Sequence, residues 1–179
     1  MKSGCYLIAI VIVLLLFLFP ACEGPQGPAG PAGSPNVRTV LSVHRSSNQS
    51  IPDSTETTVL FDQEGVDAYD AYDPTTGEFT VPETGDYAVT FCIDWVTLFS
   101  AFDLVSYRLQ INDSVEGGIE LSVLMVADQD EARTLSRSLP NLSSGDVLKV
   151  AVYQGSGTSN ELVGTTEGGV SYLTIDRLK

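Results

Sequence analysis

Residues 61–91 read FDQEGVDAYDAYDPTTGEFTVPETGDYAVTF, and the last part of that stretch repeats every two residues. Tyr87, Val89 and Phe91 alternate with the small or polar Ala88 and Thr90, and the pattern runs on through Ile93 and Trp95. Period two puts the large side chains on one side of a pleated strand, which predicts a half-buried strand. Asp-Pro-Thr-Thr-Gly at 73–77 and Glu-Thr-Gly-Asp at 83–86 are turn chemistry on either side of a short strand at 78–81. The same reading extends outward. Val105, Tyr107, Leu109 and Ile111 alternate, as do Ile119, Leu121, Val123 and Met125, and then Leu148, Val150 and Val152. Shorter candidates lie at 37–44, 57–61, 132–139 and 170–176, and no stretch carries helical periodicity. Eight to ten short strands in about 140 residues predict an all-β sandwich, most simply a jelly roll.

The spacing of the aromatics within 61–91 resembles the signature of the globular head of complement C1q, a family related to the tumour necrosis factor fold. Phe61, Asp67, Tyr72, Phe79, Gly85, Tyr87 and Phe91 stand where that pattern asks for them. Val89 replaces a Phe and is the one departure among eight places. Leu109-Gln-Ile-Asn-Asp113 is similar to the family's strand and Asn-Gly turn, and Leu142-Ser-Ser-Gly145-Asp146-Val to its Leu-x-x-Gly-Asp segment. Ser171-Tyr-Leu-Thr-Ile175 sits where the last, central strand should be. The resemblance covers residues 37–179. It implies a C1q/TNF-like jelly roll that assembles as a homotrimer, with apolar surface at the threefold axis and ligands met by exposed loops. The seven signature residues read as structural: the aromatics as core, and Gly85 as a turn glycine with positive φ.

Upstream, Tyr6 to Phe19 is an apolar run of 14 residues behind Lys2, the length of an export signal and short for a membrane span. Phe19-Pro20-Ala21-Cys22 resembles the bacterial lipoprotein cleavage site, where the Cys becomes a lipidated N-terminus, although Phe19 stands where Leu is usual. Residues 1–21 are therefore read as signal peptide, and Cys22 as the lipidation site on a membrane-anchored cell-envelope protein. The alternative is ordinary secretion, with Cys22 free for disulfides between chains. Gly24, Gly27, Gly30 and Gly33 then open four triplets rich in Pro. That is the collagen-like pattern, too short to wind a triple helix unaided, so residues 22–36 read as a stiff stalk whose four triplets span roughly 35 Å.

Nine Lys and Arg against 23 Asp and Glu give a net charge of −14, which excludes sequence-blind binding to nucleic acid. Removing residues 1–21 takes away Lys2 and no acid. Twelve carboxylates and no base lie between Arg45 and Arg108. They read either as a solvated surface or as oxygen ligands for calcium. Family members that bind calcium do so near the top of the trimer, which makes Asp103 the first metal candidate, with Asp128-Gln-Asp130-Glu131 a weaker one. His44 reads as a strand-edge residue and Cys92 as a partly buried free thiol. No Gly-x-Ser-x-Gly, His-Glu-x-x-His or phosphate loop occurs, so the chain reads as a non-enzyme.

Two functions compete. The first is an exported, lipid-anchored, trimeric recognition module for an extracellular protein or glycan, gaining strength from three equivalent sites. The second is a purely structural head that trimerises and caps a collagen-like assembly without a ligand. In a secreted animal protein, Asn48, Asn112 and Asn141 would be glycan acceptors.

Overall fold

The computed structural model describes residues 37–96, 99–125, 132–165 and 171–178. All fall within one compact unit, Pro35–Lys179. The signal segment 1–21, Cys22, the stalk 22–36 and the Asp128–Glu131 group lie outside the described residues.

Thirteen strands are described, named in chain order. They are β1 (Arg38–His44), β2 (Gln49–Ile51), β3 (Thr57–Thr58), β4 (Gln63–Asp67), β5 (Tyr72–Asp73), β6 (Glu78–Thr80) and β7 (Gly85–Ile93). The rest are β8 (Leu104–Ile111), β9 (Ser114–Leu124), β10 (Arg133–Leu142), β11 (Val147–Gly155), β12 (Asn160–Leu162) and β13 (Tyr172–Arg177). One sheet has five strands in the order β10-β7-β13-β1-β4; the other has six, β5-β6-β11-β8-β9 with β3 added to β11. A third, two-stranded sheet pairs β12 with β2. Every pairing is antiparallel, and the chain crosses directly between the large sheets after β3, β4, β6, β7, β9 and β10. This is a jelly-roll sandwich, as the period of two predicts.

The alternation decides which side of each strand is buried. On β7, Tyr87, Val89, Phe91 and Ile93 are fully buried, and on β8 so are Val105 and Tyr107. With Phe61, Phe79, Leu148, Val150 and Ile175 they form one continuous core between the sheets. Each large apolar side chain taken out of water contributes about 1.5–3 kcal/mol. Trp95 lies past the end of β7 and is held by a single bridge to Leu162. Its indole N–H donates to the Tyr107 hydroxyl at 3.1 Å, and its ring meets Phe99 edge-on at 5.0 Å.

The signature spacing has a local cause. The Asp67 carboxylate accepts the amides of Ala71 and Tyr72 at 2.8 and 2.9 Å and closes the turn that leads into β5. That turn aims the Tyr72 hydroxyl back at Phe61, whose buried amide donates to it at 3.0 Å. Burial pushes the Tyr72 phenol up to about 12, so the hydroxyl stays neutral at every physiological pH. Asp67→Ala leaves these two amides, and that of Tyr69 at 3.3 Å, without their acceptor. It is expected to cost about 1–3 kcal/mol, read as a lower urea midpoint with an unchanged slope.

Gly85 is a correction. It opens β7 opposite Leu142 without positive φ, because the irregular backbone sits on the partner strand. There the register slips between Leu139 and Leu142, and Asn141 takes φ +58°. The β8–β9 turn is as expected: Asn112 and Asp113 have φ of +51° and +64°, the two positive values a tight hairpin of this type requires. β9 begins earlier than its apolar alternation, since Gly117 and Gly118 form a bulge. A Cβ on Gly118 would lie 2.0 Å from the Leu109 carbonyl oxygen, so only glycine fits.

Candidate functional site

Since the signature residues are spent on the core, the site must be sought on the surface. The two large sheets present opposite chemistry outward. On the six-stranded sheet Arg108 bonds Glu120 at 2.8 Å and also pairs with Glu56, while Gln110 donates to Glu56 at 2.8 Å. Lys149 on the neighbouring strand pairs with Asp113 and lies 3.9 Å from Glu78. That face is charged and its charges are paired.

The five-stranded sheet differs. Because Val89, Phe91, Leu173 and Ile175 point into the core, Ala88, Thr90, Cys92, Tyr172 and Thr174 face outward. Ser136 and Ser138 on β10 and Ser42 on β1 extend the same surface through their registers. Thr90 and Ser136 share a hydroxyl hydrogen bond of 2.7 Å across the strands. Carboxylates enter at the two ends, as Asp86 and as Asp176, which accepts from Thr39, where Val37 joins β1, and as Asp94 beyond Cys92 at the other. In a chain with 23 acidic residues, a sheet face with none across its middle is the least charged surface of the sandwich. Cys92 lies on it, free and buried.

Asp103 closes the turn after Phe99. One carboxylate oxygen accepts the Ser100 amide at 2.8 Å, and the Asp103 carbonyl accepts the Met125 amide at 2.8 Å. Among the described residues no three His, Cys, Asp or Glu side chains come together to hold a metal. An open pocket of about 300 Å³ lies elsewhere, between Asp70, Asp73 and Glu78, on the outer edge of β5 and β6.

The buried cation Arg45 escaped the sequence reading. It is 4 % exposed at the end of β1 and donates to Gln49 at 2.8 Å, to the Ser47 carbonyl at 2.7 Å and to the Leu60 carbonyl. Burial lowers its pKa while Asp62 works the other way. Gln49 in turn accepts from Leu60 and donates to Thr58, so the pair ties β2 to the strand leading into Phe61. Asp62 accepts from the Ser46 amide at 2.6 Å and hydroxyl at 2.7 Å. Burial opposes its charge, yet these bonds and Arg45 hold the carboxyl below its ordinary 3.8. A carboxyl lowered by folding stabilises the folded state above its unfolded pKa, and that contribution is lost as pH falls through the lowered value. Between pH 6 and pH 3, Asp62→Asn is expected to flatten the loss of stability in acid, measured as urea midpoints across that range.

His44 is half-buried at the strand end, as the sequence implies. Cys22 lies outside the described residues.

A model of the C1q domain matches residues 40–152. Among solved structures, the globular domain of zebrafish complement 1qA protein is similar at 19% identity and a TM-score of 0.53, covering 78% of this chain and 96% of that one. Murine APRIL is similar at 15% identity and a TM-score of 0.53, covering 79% of this chain and all of its own. At such identities the likeness concerns the fold. No curated protein sequence matches the chain.

Proposed function

The chain belongs to the C1q domain family, and from that premise we propose that it is an exported, homotrimeric binding module held at a membrane by a lipid on Cys22. The observation that carries the reading is the uncharged outer face of the five-stranded sheet. Each copy carries a net charge of −14, one unit more negative without residues 1–21. Three such copies repel one another unless their shared surface is poor in charge, and the cores of protein interfaces are depleted in charged residues. The Ala88, Thr90, Thr174 and Ser136 face meets that requirement; the Arg108, Glu120 and Lys149 face does not. Resemblance to the family leads to an apolar threefold surface, whereas this face is made of short side chains, many bearing hydroxyls. Such a face packs closely and pairs hydroxyl with hydroxyl, as Thr90 and Ser136 already do within one chain.

The stalk at 22–36 supports the same reading, because three heads in register bring three Gly-x-y segments together. Catalysis plays no part in it. Recognition by three equivalent weak sites gains effective concentration when the ligand repeats. Two experiments test the proposal at its ends. Radiolabelled fatty acid should enter the wild-type chain and not Cys22→Ser; label retained by the variant removes the anchor. A glycan and protein array probed with the head, with and without calcium, should show selective retention. A uniformly blank array favours the structural capping role instead.

A further inference from the structure

The strand registers turn the outer face of the five-stranded sheet into rows that cross every strand. Val66, Ser42, Thr174, Thr90 and Ser136 are successive cross-strand partners from β4 to β10. One pleat further on, the row reads Gln63, His44, Tyr172, Cys92 and Thr134. Directly paired residues share a side of the sheet. Val43 and Leu173, next to His44 and Tyr172 in the chain, are in the core, so both rows face outward. Neither row contains Asp, Glu, Lys or Arg, and the second contains the single histidine of the chain.

Imidazole is the side chain that gains a charge between about pH 7 and pH 5. His44 is half-buried, and its surroundings are neutral or already engaged. On one side β4 offers the Gln63 amide. Glu64 is paired with Val43 and points to the opposite side, where its charge reaches Tyr72. Asp62 accepts from Ser46, and Arg45 is turned inward. On the other side β13 offers the Tyr172 phenol, with the Cys92 thiol and the Thr134 hydroxyl beyond it. Asp94 and Arg133 lie at the end of that row, and each already has an interaction of its own. No carboxylate is set against the imidazole within either row.

We propose that His44 makes the joining of copies pH-dependent: the face is uncharged at neutral pH, and protonation of the imidazole releases the copies. This inference rests on the reading that copies meet through this face and names how that contact is regulated. Taking a charge out of water without a partner is costly, and far more so than burying a neutral ring. The assembled form therefore prefers the neutral imidazole, and separate chains bind the proton more readily. Assembly weakens as pH falls through the range in which the free ring takes up its proton. Three copies bring three rings, so association loses up to about 1000-fold per pH unit within that range. Carboxylates in general take up protons only near pH 4, roughly, so repulsion between the acidic copies persists across the same window.

Sedimentation velocity of residues 35–179, a compact unit with its own core, at pH 7.5 and pH 5.5 tests the switch. At micromolar concentration the wild type should be a trimer at pH 7.5 and dissociate at pH 5.5. His44→Gln, polar but unable to take the charge, should stay trimeric at both. His44→Lys should be monomeric at both, with circular dichroism showing that the chain is folded. A wild type that is trimeric at both pH values overturns the switch and leaves the shared face intact. A His44→Gln trimer that dissociates at pH 5.5 as the wild type does also overturns it, because another group then controls the contact. A trimer that tightens at pH 5.5 overturns it as well, and pairs the imidazolium with a carboxylate of the neighbouring copy. A wild type that is monomeric at pH 7.5 removes the shared face itself, and the inference with it.

Discussion

Phe79→Ala is expected to lower the stability of the folded head by about 3–5 kcal/mol, the range for deleting a buried phenylalanine ring. Phe79 is fully buried on β6, directly opposite Tyr72 on one side and Leu148 on the other. β5 and β6 are two and three residues long, so their place in the sheet depends on this side chain more than on backbone bonds. Losing the ring leaves a cavity at the junction of three strands and loosens Tyr72, whose hydroxyl holds the Phe61 amide. The cost therefore includes packing and part of a buried hydrogen bond. A chemical denaturation curve measures it, with Val115→Ala on an exposed stretch of β9 as a control expected within about 0.5 kcal/mol of wild type. A loss below about 1 kcal/mol for Phe79→Ala would mean the site collapses without a cavity and would remove β5 and β6 from the core.

Thr90→Arg is expected to convert the proposed trimer to monomer while leaving the monomer folded. Thr90 sits in the middle of β7 with its side chain outward and bonded to Ser136 across the strands, so an arginine there can extend into solvent in a single chain. In a trimer built on this face, three guanidinium groups are buried without partners. A buried unpaired charge costs several kcal/mol, enough to empty the assembled state at micromolar concentration. Sedimentation velocity separates the outcomes. A Thr90→Arg trimer moves the interface to another surface; an aggregated or unfolded variant is recognised by circular dichroism, and Thr174→Arg on β13 then repeats the test.

Much of the fold could be read from period two, and the reasons for the misses are physical. β7, β8, β11 and β13 each put their large apolar side chains on one side, so their alternation is strong. β4 is an edge strand with four exposed residues of five, Gln63 to Val66, and carries no alternation at all. β2, β5 and β12 are too short for any period to show, and Gly117 with Gly118 hid the first residues of β9 inside a bulge. That is why thirteen strands are described where eight to ten are expected. The site was less legible than the fold. Its uncharged face is scattered over β1, β7, β10 and β13 and emerges only when registers are known. Arg45 has no sequence signal, since its partners are mostly carbonyl oxygens. Phe102 carries no sequence signal; only its backbone conformation and exposure set it apart.

The account stands on three copies meeting through the uncharged sheet face. Sedimentation equilibrium of residues 35–179 at micromolar concentration tests that most directly. The predicted result is a single species at three times the chain mass that persists as salt is raised, because the shared face carries no ion pairs and salt screens the repulsion between copies. A stable, folded species at the mass of one chain contradicts it.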